Sequence, residues 1–254
     1  MNFLAAAVPM SFFSDLLWYI RQGFINLSDQ LYQGLVEDNR YLYIISGLGN
    51  TLLITLFAVI LGVIIGTLVA LVRVANANDP SKLRIANGIC TVYLTVIRGT
   101  PVLVQLMIMY YIILNGTAVS DIMTAILAFG INSGAYVAEV IRSGIQSIDR
   151  GQMEAGRSLG LSQRATMSKI IFPQALKNVL PAIGNEFIAL LKETSVAGYI
   201  GIQDLTKGGD IIRSDTYQAF TPLLTTAAIY LIIVIGLSTL LNRFERRLRR
   251  SDYR

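Results

Sequence analysis

Residues 48–72 form a run of twenty-five positions without a single charged side chain. A helix needs about 20 consecutive apolar residues to cross the hydrocarbon of a bilayer. A soluble domain seldom has room to bury such a run on every side, so this stretch decides the class of fold. Further apolar runs follow at 102–114, led into by 90–97, then at 122–140, 175–191 and 222–241. Composition agrees: 54% of the residues are hydrophobic and only 15% charged, where soluble domains carry about a quarter charged. The expected fold is all-α, a polytopic membrane protein with about five transmembrane helices.

Basic residues orient the bundle. With five spans, the connections after the first and third spans and the tail after the fifth lie on one side. They receive sixteen of the 21 basic residues, among them Arg73, Arg142, Arg157 and the tail from Arg243 to Arg254. Short loops rich in Lys and Arg stay in the cytoplasm, so the C-terminus is expected inside and the N-terminus outside a cytoplasmic membrane. The tail serves as an orientation signal touching anionic lipid, and the charge of +5 says nothing of nucleic acid. The first 46 residues are set apart from the region 47–254, which holds the spans. Asp15 interrupts an apolar stretch at 3–20, and Trp18, Tyr19, Arg21 and Phe24 fit an amphipathic helix lying on the interface. A sixth span there would put the N-terminus inside. The stretch lacks the basic start of a cleaved signal peptide.

Within the first span, Ala58, Gly62, Gly66 and Ala70 recur every four residues, a smooth stripe against which another helix can approach closely. Polar residues inside the later spans need a reason, because polar groups in lipid are costly. Asn132, Tyr136 and Glu139 share one face of the third span. Asn178, Asn185 and Glu186 lie in the fourth, around Pro181 and Gly184, with Lys192 and Glu193 at its end. Two readings stand for the asparagines: hydrogen bonds between helices, or a path for a polar substrate. For Glu186 the path is favoured. A carboxylate with amides near mid-depth would receive a zwitterion.

Between the third and fourth spans, residues 142–174 are too polar to cross the membrane. Residues 152–161 hold good helix formers, and Gly160 is placed to stop a helix. The segment reads Glu154-Ala155-Gly156, then Gly160-Leu161, Ile170 and Phe172-Pro173. This resembles the EAA loop of ABC-importer permeases: Glu-Ala-Ala, three residues, Gly, nine residues, Ile, one residue, Leu-Pro. The spacing matches throughout, while Gly156 replaces the second Ala and Phe172 the Leu. The strings Asn50-Thr51-Leu52, Arg98-Gly99-Thr100-Pro101, Gln105, Gly184-Asn185-Glu186-Phe187 and Lys192-Glu193-Thr194-Ser195 are similar to the subfamily importing polar amino acids.

The resemblance covers the chain from residue 47 onward. It implies a type I importer fold and a short helix seated in a separate ATP-binding subunit, with Glu154, Ala155, Gly156, Gly160 and Leu161 as coupling positions. It also implies two ATPase copies, a second permease copy, here expected to be identical, and an extracellular or periplasmic substrate-binding protein. The chain has no Gly-x-x-x-x-Gly-Lys-[Ser/Thr] phosphate loop, so ATP and Mg are expected on the partner and no cofactor on this chain. It has no histidine, which excludes a Ser/His/Asp arrangement, and a Cys/His metal cluster is lacking. The chain is therefore expected to be a transport subunit and not an enzyme. An ion-gradient-driven secondary transporter is the alternative, but it predicts internal repeats and leaves the loop spacing unexplained. Glu139, Glu186 and Glu193 would suit a basic substrate, although carboxylates at these places also resemble members that carry neutral polar ones.

Overall fold

The charge-free run folds as one helix, α1 (Tyr41–Asn78), seven residues longer at its start than expected because Tyr41 to Ile45 continue the apolar pattern. Left-handed backbone at Asp38 and Asn39 stops helix before it. Extended Asp79, which precedes Pro80, ends it. The computed structural model describes residues 28–81 and 83–249. The amphipathic segment expected at 3–20 lies outside the described residues.

The second expected span is broken. Helix α2 (Arg84–Gly99) ends where Thr100, held extended by the following Pro101, turns the chain. Helix α3 (Val102–Ile108) and a wider turn, Met109–Ile113, then leave at 110° to α2. The third expected span is α4 (Asp121–Gln146), capped by Ser120 Oγ, which accepts from Met123 N at 3.3 Å. A short helix α5 (Arg150–Ser158) and α6 (Gln163–Thr166) follow, the latter passing through a wide turn, Met167–Ile171, into α7 (Phe172–Glu193). A 3-10 turn, Thr194–Ile200, leads to α8 (Leu205–Thr216), and α9 (Phe220–Arg249) completes the described chain.

Helices α1, α4 and α9 are long and apolar enough to cross a membrane, and α2 with α3 makes a fourth crossing if the bent pair counts as one span. Helix α7 is the expected fourth span. Its 22 residues give about 33 Å at 1.5 Å per residue, but its polar residues keep it out of the apolar set. Of these, Glu186 and Asn178 meet protein neighbours on α4 and at its end.

The small-residue stripe of α1 meets α4. Ala58 and Ala70 are buried. A Cβ on Gly62 would stand 2.8 Å from Ser133 Oγ, and one on Gly66 would stand 2.7 Å from Val137 Cβ. The two backbones touch as closely as side-chain-free positions allow. Around this pair, Ile54, Leu106, Phe129, Leu190 and Ala197 join α1, α3, α4, α7 and the 3-10 turn in one apolar core. Helix α4 is the centre, with 67% of its most apolar window buried, against 6% for α9.

Candidate functional site

Helix α5 is built to be exposed. Asp149 caps it, its Oδ1 accepting from Gly151 N at 2.6 Å. Among its residues only Gly156 is buried, while Glu154, Ala155 and Arg157 face outward. The helix ends as the sequence suggests. Gly160 has φ +85, a left-handed value that other residues reach only at a cost. Gly160 N donates to Arg157 O at 3.0 Å and Leu161 N to Gly156 O at 3.1 Å, the paired bonds of a Schellman end. Leu159 is left 82% exposed beside it, and Leu161 is half-buried.

Gly156 departs from the EAA pattern for a visible reason. A Cβ there would lie 2.6 Å from Thr166 Cγ2 and 2.9 Å from Thr166 Oγ1. Thr166 is fully buried and donates to Ser162 O at 3.1 Å. The two arms of the loop thus close face to face, one supplying glycine and the other a β-branched side chain. Behind α5 lies a cavity of about 570 Å³, lined by Arg73, Arg142, Arg150, Met153 and Met167. The first turn of the short helix therefore borders a hollow, while its last turn packs through Gly156 on Thr166.

The expected path residues fall into separate groups. Asn132, almost fully buried, donates from Nδ2 to Gln105 Oε1 at 3.0 Å. Gln105 Nε2 in turn donates into Ile97 O at 2.8 Å, Thr100 O at 3.0 Å and Thr100 Oγ1 at 2.8 Å. One amide therefore staples the break between α2 and α3 to α4. One to two turns along the same face, Glu139 takes a forked ion pair from Arg142, with Nε–Oε2 at 3.0 Å and Nη2 on Oε1. Arg98 reaches the same carboxylate at 4.0 Å, its guanidinium 5.7 Å from the ring centre of Tyr136.

Glu186 belongs to another face of α4, where Ser133 Oγ donates to its Oε1 at 3.2 Å. Asn178 is exposed and donates to Ser147 Oγ at 3.0 Å, tying α7 to the end of α4. Asn185 and Glu193 are exposed on α7, and Asn185 has no hydrogen bond among the described residues.

Residues 62–250 match the profile of the family described as "Binding-protein-dependent transport system inner membrane component". The chain belongs to this family. Among its relatives, the glutamine transport system permease protein GlnP of Escherichia coli is 37% identical over 209 residues, covering 81% of this chain and 93% of that protein. The arginine transport system permease protein ArtQ of Bacillus subtilis is 36% identical over 212 residues, covering 83% and 94%. A crystal structure of an amino acid ABC transporter with histidines superposes with a TM-score of 0.77 at 44% identity, over 84% of this chain and 97% of that one.

For an inner membrane component of this kind, sequence reasoning missed part of what holds the site together. Gln105 and Arg98 were visible only as members of short strings, and Ser133, Ser147 and Thr166 carried no signal of their own. The end of the molecule opposite α5 also holds more than a connecting loop. Asn50 Nδ2 donates to Gln203 O at 2.9 Å, Leu205 N donates to Thr51 Oγ1 at 3.0 Å, and Gln203 Nε2 reaches Ser46 Oγ at 2.5 Å. Segment 194–206 is thereby fastened to the start of α1. Asp204 caps α8, accepting from Lys207 N at 2.8 Å. It is fully buried, with Oδ2 left without a partner, and burial raises its carboxyl from 3.8 to about 6.

Proposed function

We infer that this chain is the transmembrane permease subunit of an ATP-binding-cassette importer for polar amino acids. The observation that carries the reading is α5: an exposed helix with a glycine-terminated end, its first turn bordering a cavity, in a chain of the binding-protein-dependent family. Such a helix can be gripped on its exposed face by a soluble partner, and the Gly156–Thr166 contact passes the push to the rest of the loop. The relatives named for glutamine and arginine transport support polar amino acids as cargo. In this reading the α5 end faces the cytoplasm, as the sixteen basic residues on that side direct, and the segment at 194–206 faces outward.

ATP binding to two copies of a separate ATPase brings together the α5 helices of the two permease copies. Glu154, Ala155, Arg157, Leu159, Gly160 and Leu161 form the contact, Leu159 as its apolar knob. A second copy of the chain completes the translocation path, and an extracellular or periplasmic binding protein delivers the substrate. Asn132, Tyr136, Glu139, Asn185, Glu186 and Glu193 are the polar groups along that path, while Asn178 acts as a tether. Nucleotide and Mg belong to the partner.

The test is uptake of labelled amino acids into liposomes holding the chain, its genomically neighbouring ATPase and binding protein, with and without internal ATP. Nothing lies within 4 Å of a Cβ on Gly160, so Gly160→Asp places bulk and charge on the docking face with no clash, its left-handed φ of +85 confining the strain to the end of α5. ATP-dependent uptake that this variant abolishes is expected. Uptake that ignores ATP and follows an ion gradient would overturn the reading.

A further inference from the structure

The polar face of α2 is not explained by packing. Ile85, Ile89, Val92 and Val96 form an exposed apolar stripe along this helix, and Thr91, Thr95 and Arg98 line the neighbouring side, about 120° round at 3.6 residues per turn. With Arg73 from α1 and Tyr136 and Glu139 from α4, they enclose a cleft of about 530 Å³. The charges in and beside it do not balance. Arg73, Arg98 and Arg142 surround one carboxylate, Glu139, and Arg142 takes the close fork on it. Arg73 donates to Thr91 Oγ1 at 2.7 Å. Arg98 has no hydrogen bond among the described residues, only the 4.0 Å approach to Glu139 and the ring of Tyr136. The Arg98 side chain is 44% exposed, so its free N–H groups stand at the open mouth of the cleft, where water or an anion can take them. Its planar fork suits a carboxylate.

We propose that this cleft is a binding station for the α-amino-acid head of the cargo, with Arg98 receiving the α-carboxylate and Glu139 the α-ammonium. A site of this kind reads the part that all amino acids share and leaves the side chain unread. It lies on a different face of α4 from Ser133 and Glu186, so it is a second station and not an extension of the first. The proposal rests on the reading of the chain as an amino-acid permease and adds Arg98 and Arg73 to it.

The test is equilibrium binding of labelled glutamine and arginine, and of their α-amides, to the complex of the full chain and its ATPase in lipid nanodiscs without the binding protein. The amides keep the ammonium and lose the carboxylate. The wild-type complex is expected to prefer the acids by roughly tenfold or more, the worth of a charge-assisted hydrogen bond. R98Q should bring that preference close to one. R98K, which keeps the charge and loses the fork, should fall between; it carries the comparison if R98Q does not assemble. Equal binding of acid and amide by wild type, no binding of either acid, or a variant keeping the full preference would each overturn the proposal. ATP-driven uptake by the same wild-type complex, with its binding protein added, reports separately on the transport reading.

Discussion

Gly156 and Thr166 form a pair in which each side chain presupposes the other. The methyl of Ala at 156 would enter the space of a buried threonine at 2.6 Å, and overpacking of this kind costs about 1–3 kcal/mol. Gly156→Ala is therefore expected to lower the thermal midpoint of the purified chain and to weaken ATP-driven uptake. Adding Thr166→Ala should restore most of both, a non-additivity that a double-mutant cycle measures directly. Asp204 makes a pH prediction. Around it are Lys207 and Asp210 on its own helix, which line one cavity with it, uncharged Thr51 of α1 on the neighbouring Leu205 N, and Tyr230 of α9 through Thr206, whose Oγ1 lies 3.2 Å from the Tyr230 hydroxyl. Folding raises its carboxyl from 3.8 to about 6, so between those values the folded chain holds a proton that the unfolded chain has released. Stability from this group is full below pH 3.8, declines as pH rises to about 6 and stays lower above, by about 3 kcal/mol at 1.36 kcal/mol per unit. Asp204→Asn keeps the cap and removes the proton. Its thermal midpoint should lose this part of the pH dependence, and an unchanged slope would show that Asp204 does not titrate in this window.

The elements repeat this contrast between local and distant causes. Helix α1, its small-residue stripe and the stop at Gly160 were legible in the sequence, because each depends on neighbours within a turn or two along the chain. The 110° break between α2 and α3 was not. Pro101 marks a discontinuity, but its angle is held by Gln105, whose partner Asn132 lies 27 positions away. Likewise Arg98 looked like part of a family string and is in fact one member of a charge cluster spanning α1, α2 and α4. The polar residues of α7 gave the opposite lesson. Asn178, Asn185 and Glu186 share one helix and yet turn to different surroundings, which spacing alone does not distinguish when the neighbours are unknown. The break supplies the prediction at this scale. Gln105→Leu keeps the size but strands Ile97 O and the Asn132 amide, whose bonds are part-buried, at about 1–3 kcal/mol each. The variant is expected to unfold at lower temperature than wild type and to lose uptake. Gln105→Glu, which keeps an acceptor for Asn132 and loses the donor to the break, should be affected less than Leu at low pH, where its carboxyl is protonated, than at neutral pH.

At the scale of the molecule, α9 stands apart. A spanning helix with 6% of its window buried within the chain faces lipid or another protein, and the proposed assembly includes a second copy. The solubilised protein is expected to run at twice the 27.9 kDa of one chain in native mass measurements, and a monomer in mild detergent would contradict the pairing. Helix α1 has a further consequence. Its 38 residues extend about 57 Å, against about 30 Å of hydrocarbon, and a tilt of about 40°, the steep end of what is seen, still leaves more than 10 Å to spare. The bar is longer than the wall it passes through. The surplus is a stand-off: the contact of Gln203 with Ser46 at one end, and the arginine-lined cavity behind α5 at the other, lie toward the headgroups and the water beyond them. Soluble reagents added on either side would have protein and not lipid to contend with there.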